Sequence, residues 1–151
     1  FNSDEIESQF VIREPLIFIL PKDHPLAKYD RIPVKALNGI DFIIPSAEAS
    51  YNLHHLIVDF AKQHNIELNI VQKADNILFN INSISIGLGC TILPSYVASL
   101  TMENTVIRPL DVELPHLDLY ISYGKNSHSA AVHQFMVLLM RVFYSDIKRE
   151  Q

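Results

Sequence analysis

Short runs of consecutive apolar residues recur along this chain and predict buried β-strands. Leu16–Leu20 is apolar at all five positions and is followed by Pro21. Two further short strands are predicted at Asp41–Ile44, which ends at Pro45, and at Cys90–Leu93. A continuous apolar run of this length is typical of a strand covered on both faces, as in a parallel or mixed sheet.

A helical spacing of apolar residues separates these runs. The clearest helix spans Tyr51–His64, where the apolar positions form one continuous face. Ser50 is its expected N-cap, with Ser46 as the alternative if the helix begins earlier, and Asn65 suits the left-handed position that ends a helix.

Two more helices are predicted further along the chain. The second has Asp75 as its N-cap and ends at Gly87 or Gly89. The last begins after Ser127 or Ser129. Their apolar faces contain Ile77, Leu78, Ile81, Ile84 and Leu88 in the second helix, and Val132, Phe135, Met136, Leu139, Val142 and Phe143 in the last.

Strict alternation of apolar and polar positions predicts two additional strands. Apolar residues alternate with polar ones over Ile66–Ile70 and again over Leu117–Tyr123. Strands and helices that alternate along a whole chain indicate an α/β domain with crossover connections.

Composition narrows the classes of function. The 151 residues are 48% hydrophobic, which suffices for one domain or two small lobes. Twelve Lys and Arg residues are scattered among 17 Asp and Glu residues, for a net charge of −5, so this chain is not expected to bind nucleic acid directly. No apolar run approaches the length of a membrane span, and a cytoplasmic location is expected.

The segment Ile84–Ser95, ISIGLGCTILPS, contains a Gly-x-Gly pattern at Gly87 and Gly89. A loop that binds phosphate leads from a strand into a helix, whereas here the helix comes first and the strand follows. A helix end and a tight turn therefore explain these glycines better than a nucleotide site does.

No pattern of a catalytic or metal site stands out. His54 and His55 are adjacent, so a helix directs them about 100° apart, and none of the seven histidines has the spacing of a metal motif. Cys90 lies in an apolar strand and is interpreted as a small buried hydrophobe. No enzyme activity, cofactor or metal is predicted.

Polar residues that follow strands are the remaining candidates for binding. They are Ser46, Glu48 and Ser50 before the first predicted helix, and Lys73, Asp75 and Asn76 before the second. In open α/β sheets, ligands bind where the carboxyl ends of strands meet helix N-termini, and the backbone N–H groups there favour an anion such as a carboxylate. Ordinary helix capping explains the same residues equally well.

Several segments resemble one family in the order that the family would have them. EPLIFILPKDHPLA, DFIIPS followed by NLHHLIVDFAKQH, ISIGLGCTILPSYVA and LDLYISYGKNSHSAAVHQFMVLLMRVF are similar to the effector-binding domain of LysR-type transcriptional regulators of bacteria. The resemblance covers nearly the whole chain.

The resemblance implies a periplasmic-binding-protein type 2-like fold, with two Rossmann-like α/β lobes joined by crossover strands and an effector held between them. Residues 17–106 would form one complete lobe. Residues 1–16 and 107–151 would supply crossovers and the end of the other lobe, whose start, like the DNA-binding domain, would precede Phe1. Effector contacts would fall on Ser46, Ala47, Glu48, Lys73, Asp75 and Asn76.

The function implied is effector sensing that changes the packing of a homo-oligomer and so controls transcription, with DNA bound only through a domain outside this chain. A solute-binding protein of a transporter, or a two-lobed enzyme of the same fold, is the alternative. This chain alone is expected to be oligomeric or structurally incomplete, because the apolar face of the last helix would pack on elements that the chain does not contain.

Overall fold

A computed structural model describes residues 5–100, 103–124 and 130–147. Within these ranges the chain alternates strands with helices, and the helices are α1 Tyr51–Gln63, α2 Ile77–Ser85 and α3 Ala130–Ile147. The strands are β1 Ile6–Pro21, β2 Asp41–Pro45, β3 Asn69–Ala74, β4 Thr91–Pro94, β5 Thr105–Ile107 and β6 His116–Gly124. Short 3₁₀ helices form at Pro25–Lys28, Val34–Leu37 and Ser95–Leu100.

The strands form the mixed sheet structure that the sequence predicts. β2 and β3 are parallel, and β2 also meets the chain just before β4 through a parallel bridge between Phe42 and Cys90. β1 runs antiparallel to both β4 and β5, and β6 also pairs with β1. The carboxyl ends of β2, β3 and β4 therefore lie at the same edge.

The chain divides into two compact units. One is Glu14–Leu117, and the other comprises the described residues among Phe1–Arg13 and Asp118–Gln151. The predicted lobe limits, Ile17 and Val106, fall inside the first unit, and the assignment of lobes to these units stays a prediction.

The first unit contains a continuous apolar core between its sheet and its helices. Its largest side chains with less than 2% exposure are Phe18, Phe42, Ile19, Leu20, Ile32, Leu37, Ile43, Ile57, Ile81, Ile84, Ile92 and Leu93. Seven of these residues lie in the predicted strands Leu16–Leu20, Asp41–Ile44 and Cys90–Leu93, and Ile57, Ile81 and Ile84 lie in the predicted helices.

The segment after α1 differs from the prediction of a strand at Ile66–Ile70, since β3 covers Asn69–Ala74. Asn65 has a φ of 52°, as predicted for the end of a helix, and the Ile66 N–H donates to the Ala61 carbonyl at 2.8 Å. This bond closes a Schellman motif, in which the residue after the left-handed position packs back on the helix. Ile66 is therefore buried by helix capping and not by strand alternation.

The start of α2 also differs by one residue. Asn76, not Asp75, occupies the N-cap, and its Oδ1 accepts the Phe79 N–H at 2.8 Å. The helix ends at the first of the two predicted glycines, because Gly87 has a φ of 83° and the Leu88 N–H reaches the Ser83 carbonyl at 3.0 Å. Gly87 supplies the left-handed backbone that this cap requires.

The second glycine of the pattern has a different role. A Cβ atom built on Gly89 would lie 2.8 Å from the Asp41 carbonyl oxygen, so the close approach of the chain to β2 requires glycine. The interpretation of Gly-x-Gly as a helix end and tight turn is confirmed.

Other predicted elements are present with changed limits. The strand predicted at Leu16–Leu20 belongs to β1, which begins ten residues earlier, at Ile6. Ser50 occupies the N-cap position of α1 but makes no capping hydrogen bond through its side chain. The predicted caps of the last helix, Ser127 and Ser129, lie outside the described residues.

Candidate functional site

A cavity of about 340 Å³ opens in the first unit where three strands end. Pro45 at the end of β2, Ala74 at the end of β3 and Pro94 at the end of β4 all line it. This is the edge at which an open α/β sheet binds its ligands, since the loops that leave the strands diverge there.

Two helix N-termini contribute to the same cavity. Ser50 precedes α1 and Asn76 precedes α2, and both residues line the wall. The N–H groups in the first turn of a helix have no acceptor within the helix, and the aligned peptide dipoles give this end a partial positive charge. Two such ends beside one cavity favour an anionic group of a ligand.

Asn80 is the most unusual residue of the wall. Its side chain is 1% exposed, and its Oδ1 is the buried side-chain oxygen for which the described residues provide no hydrogen-bond partner. Asn80 lies one turn after the Asn76 cap, on the side of α2 that faces the cavity. A buried acceptor without a donor costs about 1–3 kcal/mol, so this oxygen is a position where a ligand donor would be favourable.

The rest of the wall is largely apolar, with Leu53, Ile77, Leu93 and Leu117 among its residues. Tyr96 is a polar exception, and burial followed by the nearby Glu14 carboxylate raises the pKa of its hydroxyl. The hydroxyl of Tyr96 therefore stays protonated at neutral pH and can donate a hydrogen bond.

Glu14 fixes the loop that carries Tyr96. Its Oε1 accepts the Ser95 hydroxyl at 2.7 Å and the Tyr96 N–H at 2.9 Å. The carboxylate thus caps the start of the 3₁₀ helix at Ser95–Leu100, which holds this side of the cavity in place.

Two of the six effector contacts implied by the resemblance line this cavity, namely Asp75 and Asn76, and so does Ser50, a further candidate among the polar residues that follow strands. Ser46 is 3% exposed and lies just outside the wall, where its Oγ accepts the Ala49 N–H at 3.2 Å. It supports the turn that leads to the cavity-lining residues Ala49 and Ser50.

The other three residues of that set lie elsewhere in the unit. Ala47 is half-buried and Glu48 is exposed in the turn after β2, away from the cavity wall. Lys73 lines a different cavity, of about 420 Å³, together with Val58 and Ile70. Strand alternation directs its side chain to the face opposite Ala74, which lines the first cavity.

The sequence reasoning missed Asn80, although a signal was present. Asn80 lies three residues after Ile77 and four before Ile84, within the stripe that α2 buries. A polar residue inside an apolar helical stripe is either paired in the fold or available to a ligand, and only the structure distinguishes these cases.

The structure gives His54 and Cys90 structural roles. The His54 Nδ1 lies 2.8 Å from the Pro45 carbonyl oxygen, so this ring holds the end of β2. Cys90 is fully buried, and burial raises the pKa of its thiol to about 12, in agreement with a structural role. Across the described ranges, no three His, Cys, Asp or Glu side chains are grouped closely enough to hold a metal ion.

No helix in the described ranges combines the length and the hydropathy that a membrane-spanning segment requires.

Comparison with known proteins agrees with this architecture. The family profile for the LysR substrate binding domain matches residues 1–143. The Hca operon transcriptional activator HcaR of Escherichia coli K12 is 32% identical over 137 residues, which are 91% of this chain and 46% of HcaR. The chain thus spans about half the length of the curated relatives that it matches.

Two solved structures show the same fold at low sequence identity. The effector-binding domain of QuiR in complex with shikimate has a TM-score of 0.80 at 23% identity, over 95% of this chain and 68% of that domain chain. The effector-binding domain of BenM with its effector benzoate also has a TM-score of 0.80, at 14% identity, over 97% of this chain and 67% of that domain chain. The predicted periplasmic-binding-protein type 2-like fold is confirmed, and the chain belongs to the family of LysR substrate-binding domains.

Proposed function

We propose that this chain is the effector-binding part of a LysR-type transcriptional regulator and that the cavity at the ends of β2, β3 and β4 binds a small carboxylate. The natural protein would bind DNA through a part outside this chain, act as a homo-oligomer in the cytoplasm, and change its oligomer packing when the effector binds. The similarity to HcaR, a transcriptional activator, supports this proposal.

The observation that carries the proposal is the convergence of two helix N-termini on one cavity of about 340 Å³. This volume is within the range of small-molecule sites, which are mostly apolar with a few well-placed polar groups. Leu53, Ile77 and Leu93 supply the apolar contact. The N–H groups at the starts of α1 and α2 supply the donors for an anion.

A carboxylate is the anion that fits this combination best. A monocarboxylate carries one negative charge, which helix N-termini balance without a lysine or arginine, and the cavity-lining residues include no cation. The solved structures of QuiR with shikimate and BenM with benzoate are examples of related domains with a carboxylate ligand.

Among the residues proposed from the sequence, Asp75 and Asn76 line the cavity, and in this proposal the carboxylate binds at the helix start that Asn76 caps. Ser46 acts indirectly, because it holds the turn that presents Ala49 and Ser50. Ala47 was included from the resemblance alone, and Glu48 and Lys73 also because they follow predicted strands, but the positions of all three outside the cavity wall support no direct contact.

The test is a thermal-shift screen of the natural protein against small mono- and dicarboxylates, because a ligand that binds only the folded state raises the melting temperature. For each hit, calorimetry on Asn76→Ala is expected to show binding weakened about tenfold, which corresponds to about 1.4 kcal/mol. Ser46→Ala is expected to weaken binding by a smaller factor.

The matched control is Asn38→Ala. Asn38 also accepts a backbone N–H through its Oδ1, from Glu67 at 2.9 Å, but it lies away from the cavity. This variant should bind each hit with unchanged affinity. A screen without a carboxylate hit, or hits that bind Asn76→Ala and Asn38→Ala equally well, would contradict the proposed site.

A further inference from the structure

The hydrogen-bond acceptors in the cavity wall indicate which groups a ligand carries in addition to its carboxylate. Asn80 Oδ1 is buried without a donor among the described residues, and the Asp75 carboxylate lines the same cavity. An acceptor cannot bind a carboxylate oxygen, since both groups lack a proton. A ligand that only accepts hydrogen bonds would leave Asn80 Oδ1 unpaired.

The protein does not satisfy this oxygen from its own wall. The residues that line the cavity with Asn80 include Ile77 in α2 and Leu93 in β4, which have no side-chain donor. The Asn76 side chain is engaged as a cap, with its Oδ1 on the Phe79 N–H. Asn80 Oδ1 is therefore a buried acceptor that lacks a donor among the described residues, in a wall that also contains the apolar side chains of Ile77 and Leu93.

We propose that Asn80 determines effector specificity by accepting a hydrogen bond from a hydroxyl or amino group of the ligand, so that the effector is a carboxylate that also carries a hydrogen-bond donor. This inference rests on the proposed function of the cavity as a carboxylate site. The helix N-termini bind the carboxylate, and Asn80, with Asp75 nearer to solvent, receives the donor.

The physical basis is the asymmetry of buried hydrogen bonds. When the ligand provides the donor, Asn80 Oδ1 is satisfied at no further desolvation cost to the protein. When a ligand of the same shape lacks the donor, the complex retains a buried unpaired acceptor and binding is weaker. Sites built in this way discriminate strongly against analogues that lack the hydrogen-bonding group.

The experiment measures the affinity of the natural protein for matched ligand sets by calorimetry. The sets are built on propionate, cyclohexanecarboxylate and benzoate, each without a substituent and with a hydroxyl, amino or methoxy group at each ring or chain position. The methoxy compounds match the hydroxyl compounds in position and carry an acceptor but no donor. In at least one set, a hydroxyl or amino compound is expected to bind tenfold or more tightly than both its methoxy and its unsubstituted counterparts.

The same measurements are made on Asn80→Ala, with Asn82→Ala as the matched control. Asn82 is an exposed asparagine on the same helix and does not line the cavity. The preference for the donor-bearing ligand is expected to fall below threefold in Asn80→Ala and to remain at its original value in Asn82→Ala. The comparison of ligands on the unaltered protein does not depend on the stability of either variant.

The possible failures are distinguishable. Equal binding of hydroxyl and methoxy compounds, or a preference that survives in Asn80→Ala, overturns the role of Asn80 while carboxylate binding stands. Absence of binding by every carboxylate overturns the proposed function, and the role of Asn80 with it.

Discussion

The two compact units of this chain differ in how far they bury their apolar side chains. In Glu14–Leu117, both sheet and helices bury apolar side chains in one continuous core. Among the residues of the other unit whose side chains the structure describes, Val11 is buried, whereas Phe10, Leu119, Tyr120, Phe135 and Leu138 are each at least 39% exposed. The first unit therefore has the core needed to hold a cavity in a fixed shape, and the second shows an apolar surface that its own described residues do not cover.

This difference indicates which unit contributes most of the stability of the chain. Burial of apolar area is the main favourable contribution to folding, and it is concentrated in the unit that carries the candidate site. A cavity whose walls are formed by strand ends and helix starts requires such a core, because each wall residue is positioned by the packing behind it.

Substitution of two phenylalanines, one in each unit, tests this difference and should give the largest change in the free energy of unfolding. Phe42 in β2 is 0% exposed, whereas Phe10 in β1 is 45% exposed and contacts Tyr120 edge to face, with 5.7 Å between ring centroids. Phe42→Ala is expected to lower the free energy of unfolding by about 3–5 kcal/mol, from lost burial and the cavity that remains. Phe10→Ala should cost less than about 1.5 kcal/mol, the value of an aromatic pair.

Urea denaturation of the 151-residue chain, followed by circular dichroism, measures both changes. Equal losses in the two variants would contradict the concentration of stability in Glu14–Leu117. A larger loss for Phe10→Ala in the natural protein than in this chain would identify Phe10 as covered by another part of the protein.

A smaller difference in the free energy of unfolding is expected between substitutions of two glycines, one in each unit. An alanine at Gly89 would place its Cβ 2.8 Å from the Asp41 carbonyl oxygen, whereas the nearest atom to a Cβ at Gly124 is 3.9 Å away. Gly89→Ala is expected to cost about 3 kcal/mol, since backbone atoms would have to shift to relieve the contact. Gly124→Ala should change the free energy of unfolding by less than about 0.5 kcal/mol. Thermal unfolding of both variants checks this order, and a tolerated Gly89→Ala would show that the approach of the chain to β2 is not tight.

The smallest losses of stability are expected for substitutions of Arg13 and Glu14, which are adjacent in sequence and belong to different units. Glu14 accepts two hydrogen bonds, from Ser95 and from Tyr96, whereas Arg13 pairs with Asp118 at 2.8 Å with 62% of its own side chain exposed. Glu14→Ala is expected to cost about 1.5 kcal/mol through the loss of charge-assisted bonds. Arg13→Ala should cost less, because exposed ion pairs contribute little.

Hydrogen–deuterium exchange separates these two variants, since it reports local opening. Glu14→Ala is expected to speed exchange in the Ser95–Leu100 helix beside the cavity, and Arg13→Ala to leave that segment unchanged. Faster exchange there in both variants would mean that the two units are coupled through this boundary.

Much of the fold could be predicted from local patterns. The apolar runs at Leu16–Leu20 and Asp41–Ile44 became buried parts of β1 and β2, and Asn65 and Gly87 ended their helices with left-handed backbone as expected. These features depend on the sterics of single residues and on short-range periodicity, which a sequence displays directly.

The errors occurred where tertiary contacts compete with local preference. Ile66 fits a strand alternation, but the cap of α1 draws it into the core. Asp75 and Asn76 are both good N-caps, and the choice of Asn76 depends on where β3 ends beside β2. One register position at a strand end decides which side chain caps the helix, and a sequence does not display register.

The candidate site shows the same division. Patterns along the chain were enough to predict the α/β class, the resemblance to LysR effector-binding domains and the strand ends at which a ligand would bind. The folded structure was needed to show that Asp75 and Asn76 line one cavity with Ser50 and Tyr96, that Ser46 supports it from outside and that Lys73 lies elsewhere. It also decided that Asn80 is a buried acceptor without a donor, since hydrogen-bond satisfaction depends on groups that are distant in sequence and meet only in the folded chain.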